Sequence, residues 1–309
     1  MVNDRRFRGG VAGAGAFGAI HAGKYAAAER ATLAAVFDVD FDRARAVADG
    51  HGAEAFDDYD AFLAAVEVVT VATPARWHGA LALRALEAGR HTLVEKPLAV
   101  THAEGSALID AAQARGLTLA VGHQERLVFE TMGLLGIVET PTLIEARREG
   151  PWSGRGDDVS VTLDLAIHDA DLACRLVGAP PVAVTAKGAR VRSAHVDSVE
   201  SEVTCANGAV IRLAASRVAA ARQRTMRIVY PSGVVAIDFV ARTFENGTPF
   251  ALDAGFAETP VGRDPLGANV ARFLEAASGA VARPAVTGVE ALAALDLILA
   301  VDSAAAADG

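Results

Sequence analysis

Apolar positions in the first 121 residues come in short, nearly unbroken runs, at 8–12, 32–37, 68–72, 91–95 and 117–121. Between them, residues 16–28, 41–48, 59–65, 77–88 and 101–115 carry apolar side chains at helical spacing. Gly89 and Gly116 follow two of these stretches, where a helix ends readily in left-handed backbone. Strand and helix in alternation imply right-handed crossovers and a doubly wound parallel sheet, whose strands are apolar throughout because helices cover both faces. Beyond residue 121 the rhythm changes. A polar, glycine-containing stretch, 147–158, leads into an apolar helix over 163–177. Strand-like runs then follow one another without helices, at 182–191, 199–206, 210–217, 225–230 and 234–239. Asn207-Gly208 and Pro231-Ser232-Gly233 supply turns between them. Two helices, 266–277 and 289–305, close the chain. The pattern predicts two domains, 1–121 and 122–309. The first is α/β; the second is α+β on a mostly antiparallel, open sheet.

Composition narrows the functional classes. Hydrophobic residues make up 52% and charged residues 22%, a globular balance. The net charge of −9, with no basic block, argues against a nucleic-acid partner. Cys174 and Cys205 are too few for a disulfide framework and fit a reducing cytoplasm. Arg5-Arg6-Phe7-Arg8 before a Gly/Ala/Val run resembles the start of a secretion signal, but Gly9, Gly10, Gly13, Gly15, Gly18 and His21 dilute the run. No stretch is long and apolar enough for a membrane span. The expectation is a cytoplasmic protein with no membrane partner.

Gly13-Ala-Gly15-Ala-Phe-Gly18 falls between the first expected strand and the first expected helix. In that setting the first glycine permits a tight turn, the second lets backbone approach a pyrophosphate, and the third lets helix and strand pack closely. Asp38 ends the second strand, twenty residues after Gly18, where a carboxylate would accept the hydroxyls of an adenosine ribose. Asp40 and Asp42 add negative charge and Arg43 opposes it, which predicts NAD rather than NADP.

Two further groupings carry chemistry. Lys96, in Glu95-Lys96-Pro97, stands at the end of the fourth strand, the side where open α/β sheets bind ligands. Asp164 and His168 share one face of the expected helix at i, i+4. A histidine there can take or return a hydroxyl proton. A polar helix-start cluster with Asp157, Asp158 and Asp169 is an alternative reading of the pair. A metal site is not expected, because no third ligand stands at a recognisable spacing.

Gly13–Gly18 with His21, Thr73-Pro74 with His78, Glu95-Lys96-Pro97, Asp164 with His168, Ala215-Ser216-Arg217 and the 284–288 segment, in that order, resemble the Gfo/Idh/MocA oxidoreductases. The resemblance spans nearly the whole chain. Residues 121–126 and the 157–165 segment are similar to a bacterial and archaeal branch that includes UDP-N-acetylglucosamine 3-dehydrogenases. After Arg126 that branch usually runs Phe-Asn-Pro-Ala, whereas this chain has Leu127-Val128-Phe129-Glu130. The resemblance implies a Rossmann domain that binds NAD(P), and a substrate domain whose sheet mediates assembly as a homodimer or homotetramer. It implies cofactor contacts at Gly13, Gly15, Ala16, Phe17, Gly18, Asp38, Glu95 and Lys96, with Thr73, Pro74 and His78 along the nicotinamide. Lys96, Asp164 and His168 would surround the reacting carbon, with His123, Arg126 and Trp152 as further substrate contacts. Trp152 covers a sugar ring or packs a lid. His21 is expected to be packed, and Arg147 and Arg148 to be a solvated strand end.

The function implied is hydride transfer between nicotinamide and a hydroxyl carbon of a sugar, sugar nucleotide or cyclitol. Internal redox with a tightly held NAD, as in epimerase- or glycosidase-like relatives, and a non-catalytic dinucleotide sensor are the alternatives. Release of NADH separates the first two, and the presence of both Lys96 and His168 counts against the third. The mechanism requires Lys96, Asp164 and His168 to reach one substrate oxygen.

Overall fold

The computed structural model describes residues 6–154 and 156–307. They form two compact units. The first runs to Gln124 and also takes in Asp264–Leu292; the second is Glu125–Arg263 with the chain from Ala293 onward.

In the first unit β1 (Phe7–Ala12), α1 (Ala16–Ala27), β2 (Ala31–Phe37), α2 (Phe41–Asp49), β3 (Glu54–Phe56), α3 (Tyr59–Ala65), β4 (Val68–Val71), α4 (His78–Glu87), β5 (His91–Val94), α5 (His102–Arg115) and β6 (Leu119–Val121) follow in order. The six strands are parallel, in the order β3-β2-β1-β4-β5-β6. Strand order reverses between β1 and β4, and the crevice beyond their carboxyl ends is where such sheets bind ligands. Asp40, Asp58 and Thr101 cap α2, α3 and α5 by accepting backbone N–H bonds, and Gly116 ends α5 at φ +62°. The three-residue β3 is too short to leave a period in the sequence. Phe7 opens β1, so the Gly/Ala/Val run is strand and helix; Arg5 lies outside the described residues.

The expected boundary at 121 differs from this division. α9 (Pro265–Ala277) packs on α1, where Val270, Phe273 and Leu274 join Tyr25 and Leu33 in one apolar cluster. Lys24 pairs with Asp264 at 2.9 Å, and the backbone of 286–287 bonds to the edge strand at Ala120 and Val121. The Rossmann sheet needs apolar cover at this face and edge, and a segment distant in sequence supplies it.

The second unit holds α6 (Glu125–Met132), β7 (Leu143–Glu149), α7 (Ile167–Val177), β8 (Pro181–Ala189), β9 (Ser198–Cys205), β10 (Val210–Ser216), β11 (Gln223–Tyr230), β12 (Gly233–Asp238), β13 (Thr243–Asn246) and α8 (Pro260–Arg263). The final helix, α10 (Gly288–Ala307), begins in the first unit and contributes the rest of its length here. Strand order is β13-β12-β11-β7-β10-β9-β8, antiparallel except for β7 beside β10. Burial alternates along β7, β9 and β10, and α7 packs against β7 and β10 on the buried face. The opposite face carries charged side chains paired across strands: Arg212 with Glu202 (2.8 Å) and Glu145 (3.3 Å), and Arg227 with Glu145 (2.9 Å). The mixed sheet agrees with the sequence reading. The central strand β7 escaped it, because Arg148 occupies an inward position of the alternation. Among the described residues no helix is long and apolar enough to cross a membrane.

Candidate active site

The glycine loop connects β1 to α1. Gly13 sits at φ +101°, and a Cβ there would lie 2.6 Å from the Ala72 carbonyl oxygen. A Cβ on Gly18 would fall 1.7 Å from the Gly13 carbonyl oxygen, so helix and loop touch through backbone alone. Gly15 caps α1 with no side-chain hydrogen bond, and a Cβ on it would meet nothing within 4 Å. The first N–H groups of α1 therefore face an open approach, as a pyrophosphate requires. Ala16 and Phe17 form the first turn beside this opening, with Phe17 exposed.

Asp38 ties the loop to the end of β2. Its Oδ2 accepts the Ala14 N–H at 2.8 Å; its Oδ1 accepts the Asp40 N–H at 3.0 Å and Arg43 Nη2 at 2.9 Å. Burial pushes this carboxyl up, but the two backbone N–H groups and Arg43 outweigh it and hold it below the ordinary range. Arg43, the expected cation against the carboxylates, is thus engaged with Asp38 itself. This uncapped turn with an ionised carboxylate beside it fits a dinucleotide.

Thr73 and Pro74 follow β4. The Thr73 hydroxyl oxygen is buried with no hydrogen-bond partner among the described residues, an orphan that suits a bound polar group. His78 is buried, with Nδ1 2.6 Å from the Pro97 carbonyl and Nε2 2.9 Å from the Thr73 carbonyl. Burial holds the imidazole below its ordinary pKa despite these contacts. Both ring nitrogens face backbone. His78 pins together the loops after β4 and β5.

Glu95 is likewise bonded within the first unit. Its Oε1 lies 2.7 Å from His21 Nε2, and its Oε2 accepts the Lys96 N–H at 3.2 Å. A Cβ on Gly122 would come within 2.7 Å of that Oε2, so the missing side chain makes the carboxylate's room. Burial raises the carboxyl, but His21, Lys96 and His78 together draw it below the usual range. The side chain is a buried anchor that accepts the Lys96 N–H. His21 is packed, as expected. His123, just after β6 in the same unit, is buried at 2% exposure.

In the second unit Asp164 lies in a π turn, Thr162–Ala166, that precedes α7, where a regular helix was expected. Ile167 N–H reaches back to the Thr162 carbonyl, five residues away, so a π turn rather than regular helix joins Asp164 to His168. Such turns are rare and concentrate at functional sites. Asp302 on α10 clasps the segment by accepting from Ser160 Oγ (2.6 Å) and from Thr162 Oγ1. Gly156, at φ +69°, lets the chain press against Asp164: a Cβ there would be 2.5 Å from Oδ2.

His168 stands in the first turn of α7, its Nδ1 3.9 Å from Glu125 Oε2. Behind it Arg148, 1% exposed, spans two carboxylates. Its Nη1 and Nη2 donate to Glu125 at 3.1 and 2.7 Å, and its Nε and Nη2 donate to Asp169, both at 2.9 Å. Burial opposes the Arg148 charge, yet Asp169 and Glu125 hold the guanidinium firmly protonated. The expectation of a solvated strand end thus holds for Arg147, which pairs with Glu149, and fails for Arg148.

The Arg126 side chain is 4% exposed and doubly bonded to Asp171, Nε–Oδ2 at 3.1 Å and Nη2–Oδ1 at 2.6 Å. Trp152 lies under the Arg217 guanidinium at 5.7 Å. Arg217 also donates to the Gly156 and Val159 carbonyls and to Asp197, so it ties Trp152, Gly156 and Val159 together. Leu127 and Phe129 are buried in α6, and Phe129 stacks on Phe239 with ring centroids 6.1 Å apart. The Leu-Val-Phe-Glu departure therefore lies largely in apolar packing. Sequence reasoning missed Glu125, Arg148, Asp197 and Asp302, each of which acts through partners distant in the chain.

Strand order and glycine loop define a dinucleotide-binding class of protein with a second α+β unit. More particularly, the chain belongs to the Gfo/Idh/MocA oxidoreductase family. Residues 7–123 match its NAD-binding Rossmann fold and residues 139–236 its C-terminal domain. It is 39% identical over 280 residues to the UDP-N-acetylglucosamine 3-dehydrogenase of Acidithiobacillus ferrooxidans, covering 87% of this chain and 88% of that one. The solved structure of that organism's UDP-N-acetylglucosamine 3-dehydrogenase GnnA superposes with a TM-score of 0.89 at 37% identity, over 98% of each chain. The WlbA dehydrogenase of Bordetella pertussis, solved with NADH and UDP-GlcNAcA, shares the fold, with a TM-score of 0.89 at 21% identity over 100% of this chain and 98% of that one. The protein is an NAD-dependent oxidoreductase that moves a hydride between a hydroxyl carbon and nicotinamide.

Proposed function

We propose that this enzyme oxidises a ring hydroxyl of a UDP-linked N-acetylhexosamine, at carbon 3. The observation that carries this reading is the 39% identity to a UDP-N-acetylglucosamine 3-dehydrogenase over 87% of this chain and 88% of that one. Bound NAD supplies the hydride acceptor; the chain must remove one proton and polarise one oxygen. Lys96 and His168 share that work, and Asp164 holds the substrate or tunes the histidine. Lys96 is kept at its strand end by the buried Glu95 carboxylate, which accepts the Lys96 N–H.

Assembly is part of the proposal. The open sheet face in the second unit presents Glu145, Glu202, Arg212 and Arg227, both signs of charge on one surface, and a second copy of the same surface would complement it. This supports a homodimer or homotetramer. The free thiols of Cys174 and Cys205 support a cytoplasmic location.

The test is NADH formation from NAD with UDP-N-acetylglucosamine, free N-acetylglucosamine and inositol offered separately. NADH accumulating with the sugar nucleotide, at a kcat/KM at least about tenfold above the others, supports the reading; that ratio corresponds to about 1.4 kcal/mol of discrimination. Equal rates with inositol would overturn it, and turnover without free NADH would point to internal redox.

A further inference from the structure

Within the second unit, His168 lies beside Glu125 of α6, which belongs to a charge cluster with Arg148 from β7, Asp169 of α7 and Arg224 of β11; Asp164, in the π turn, is four residues before His168 in the chain. Glu125 Oε2 lies 3.9 Å from the ring at Nδ1. Its carboxylate is fixed from behind by two bonds from a fully buried arginine, which a second carboxylate, Asp169, fixes in turn. A surface ion pair has no need of such a foundation. A histidine that must gain and lose a proton does, because the group at one ring nitrogen decides which tautomer faces the reaction at the other.

We propose that Glu125 is a positioning residue for His168: it holds the proton on Nδ1, turns Nε2 to the reacting hydroxyl, and stabilises the imidazolium when Nε2 takes the proton. Arg148 is the clamp that keeps Glu125 in place. A separation of 3.9 Å is longer than a hydrogen bond, and such contacts commonly tighten when substrate binds. This inference rests on the reading of His168 as an acid–base group.

The experiment follows the His168 imidazole titration by NMR, its signal assigned by its loss in His168→Ala, alongside steady-state kinetics with UDP-N-acetylglucosamine. Glu125→Gln keeps the shape and removes the charge. The midpoint of the titration is expected to fall by about half a pH unit or more, since an opposite charge at this range favours the protonated ring. Turnover should fall about tenfold with KM within about twofold, a part of the roughly 10²–10⁴-fold that acid–base catalysis supplies. Glu125→Asp should give a smaller shift in the same direction, and it provides the readout if the glutamine variant does not fold. An unmoved titration midpoint in the folded variants overturns the proposal. Wild-type turnover in His168→Ala would instead remove the catalytic reading of His168, while the titration still decides whether Glu125 holds the ring.

Discussion

The glycine loop and the His168 cluster solve opposite problems with opposite materials. The loop prepares for an anion with almost no side chains: bare backbone at Gly13 and Gly18, an open helix end at Gly15, and one carboxylate, Asp38. The His168 cluster, proposed to move a proton, is built from buried side chains, where Arg148 holds Glu125 and Asp169 together. In the first, function depends on what is missing. In the second, it depends on charges that would each be costly to bury alone. Substitutions should therefore injure the first by adding atoms and the second by removing partners.

The largest effect is expected away from both, at the Asp197–Arg217 pair, whose arginine holds Gly156 and Val159. Asp197 is fully buried. It accepts backbone N–H bonds from Val191, Arg192 and Ser193 and the Arg217 Nε at 2.8 Å. Burial alone would raise its pKa, but these donors overcome it and hold the carboxyl far below the ordinary range. Asp197→Asn should cost about 3–5 kcal/mol of stability, as breaking a buried pair does. Because the folded value is depressed, the stabilisation is full above the unfolded carboxylate value and disappears as pH falls through the folded one. The gap between variant and wild type should stay constant from neutrality to about pH 5 and start to close below about pH 4. Chemical denaturation at several pH values checks this.

Next in size, Lys96→Met and His168→Ala should each lower kcat by roughly 10²-fold or more while NAD affinity stays near wild type. Near-normal turnover in both variants would remove them from the mechanism. Gly18→Ala is the counterpart on the loop. The added methyl group collides with the Gly13 carbonyl, so NAD affinity should fall by about tenfold or more, about 1.4 kcal/mol, with little change in the His168 titration. Unchanged affinity would mean the loop is not the dinucleotide site. The smallest effect is expected at Asp38. Wild type should prefer NAD over NADP by roughly tenfold, and Asp38→Ala should narrow that gap mainly by weakening NAD. Paired titrations of the two cofactors decide it. Arg43 bonded to Asp38 makes this the finest balance of the four, since it already offsets part of the carboxylate's charge.

The two regions also differ in how much of them the sequence revealed. Gly13, Gly15, Gly18 and Asp38 lie within 26 consecutive residues, and their spacing follows from the geometry of one strand–helix–strand unit, so the fold of the first domain and its candidate cofactor loop were legible. Glu125, Arg148 and His168 meet only through the second sheet, and no local period announces that Arg148 points inward. The same distance in sequence hid the return of 264–292 to the first unit, whose residues Val270 and Phe273 look like any amphipathic helix until their partners are known. His78 and Glu95 were found by motif, but the motif does not reveal that their polar atoms face inward.

The most direct test of the account uses UDP-N-acetylglucosamine carrying deuterium at carbon 3 of the sugar. Incubated with unlabelled NAD and the wild-type enzyme, it should yield reduced cofactor that carries the deuterium, in step with loss of label from the sugar. Reduced cofactor without deuterium, or no reduced cofactor at all, would contradict the account.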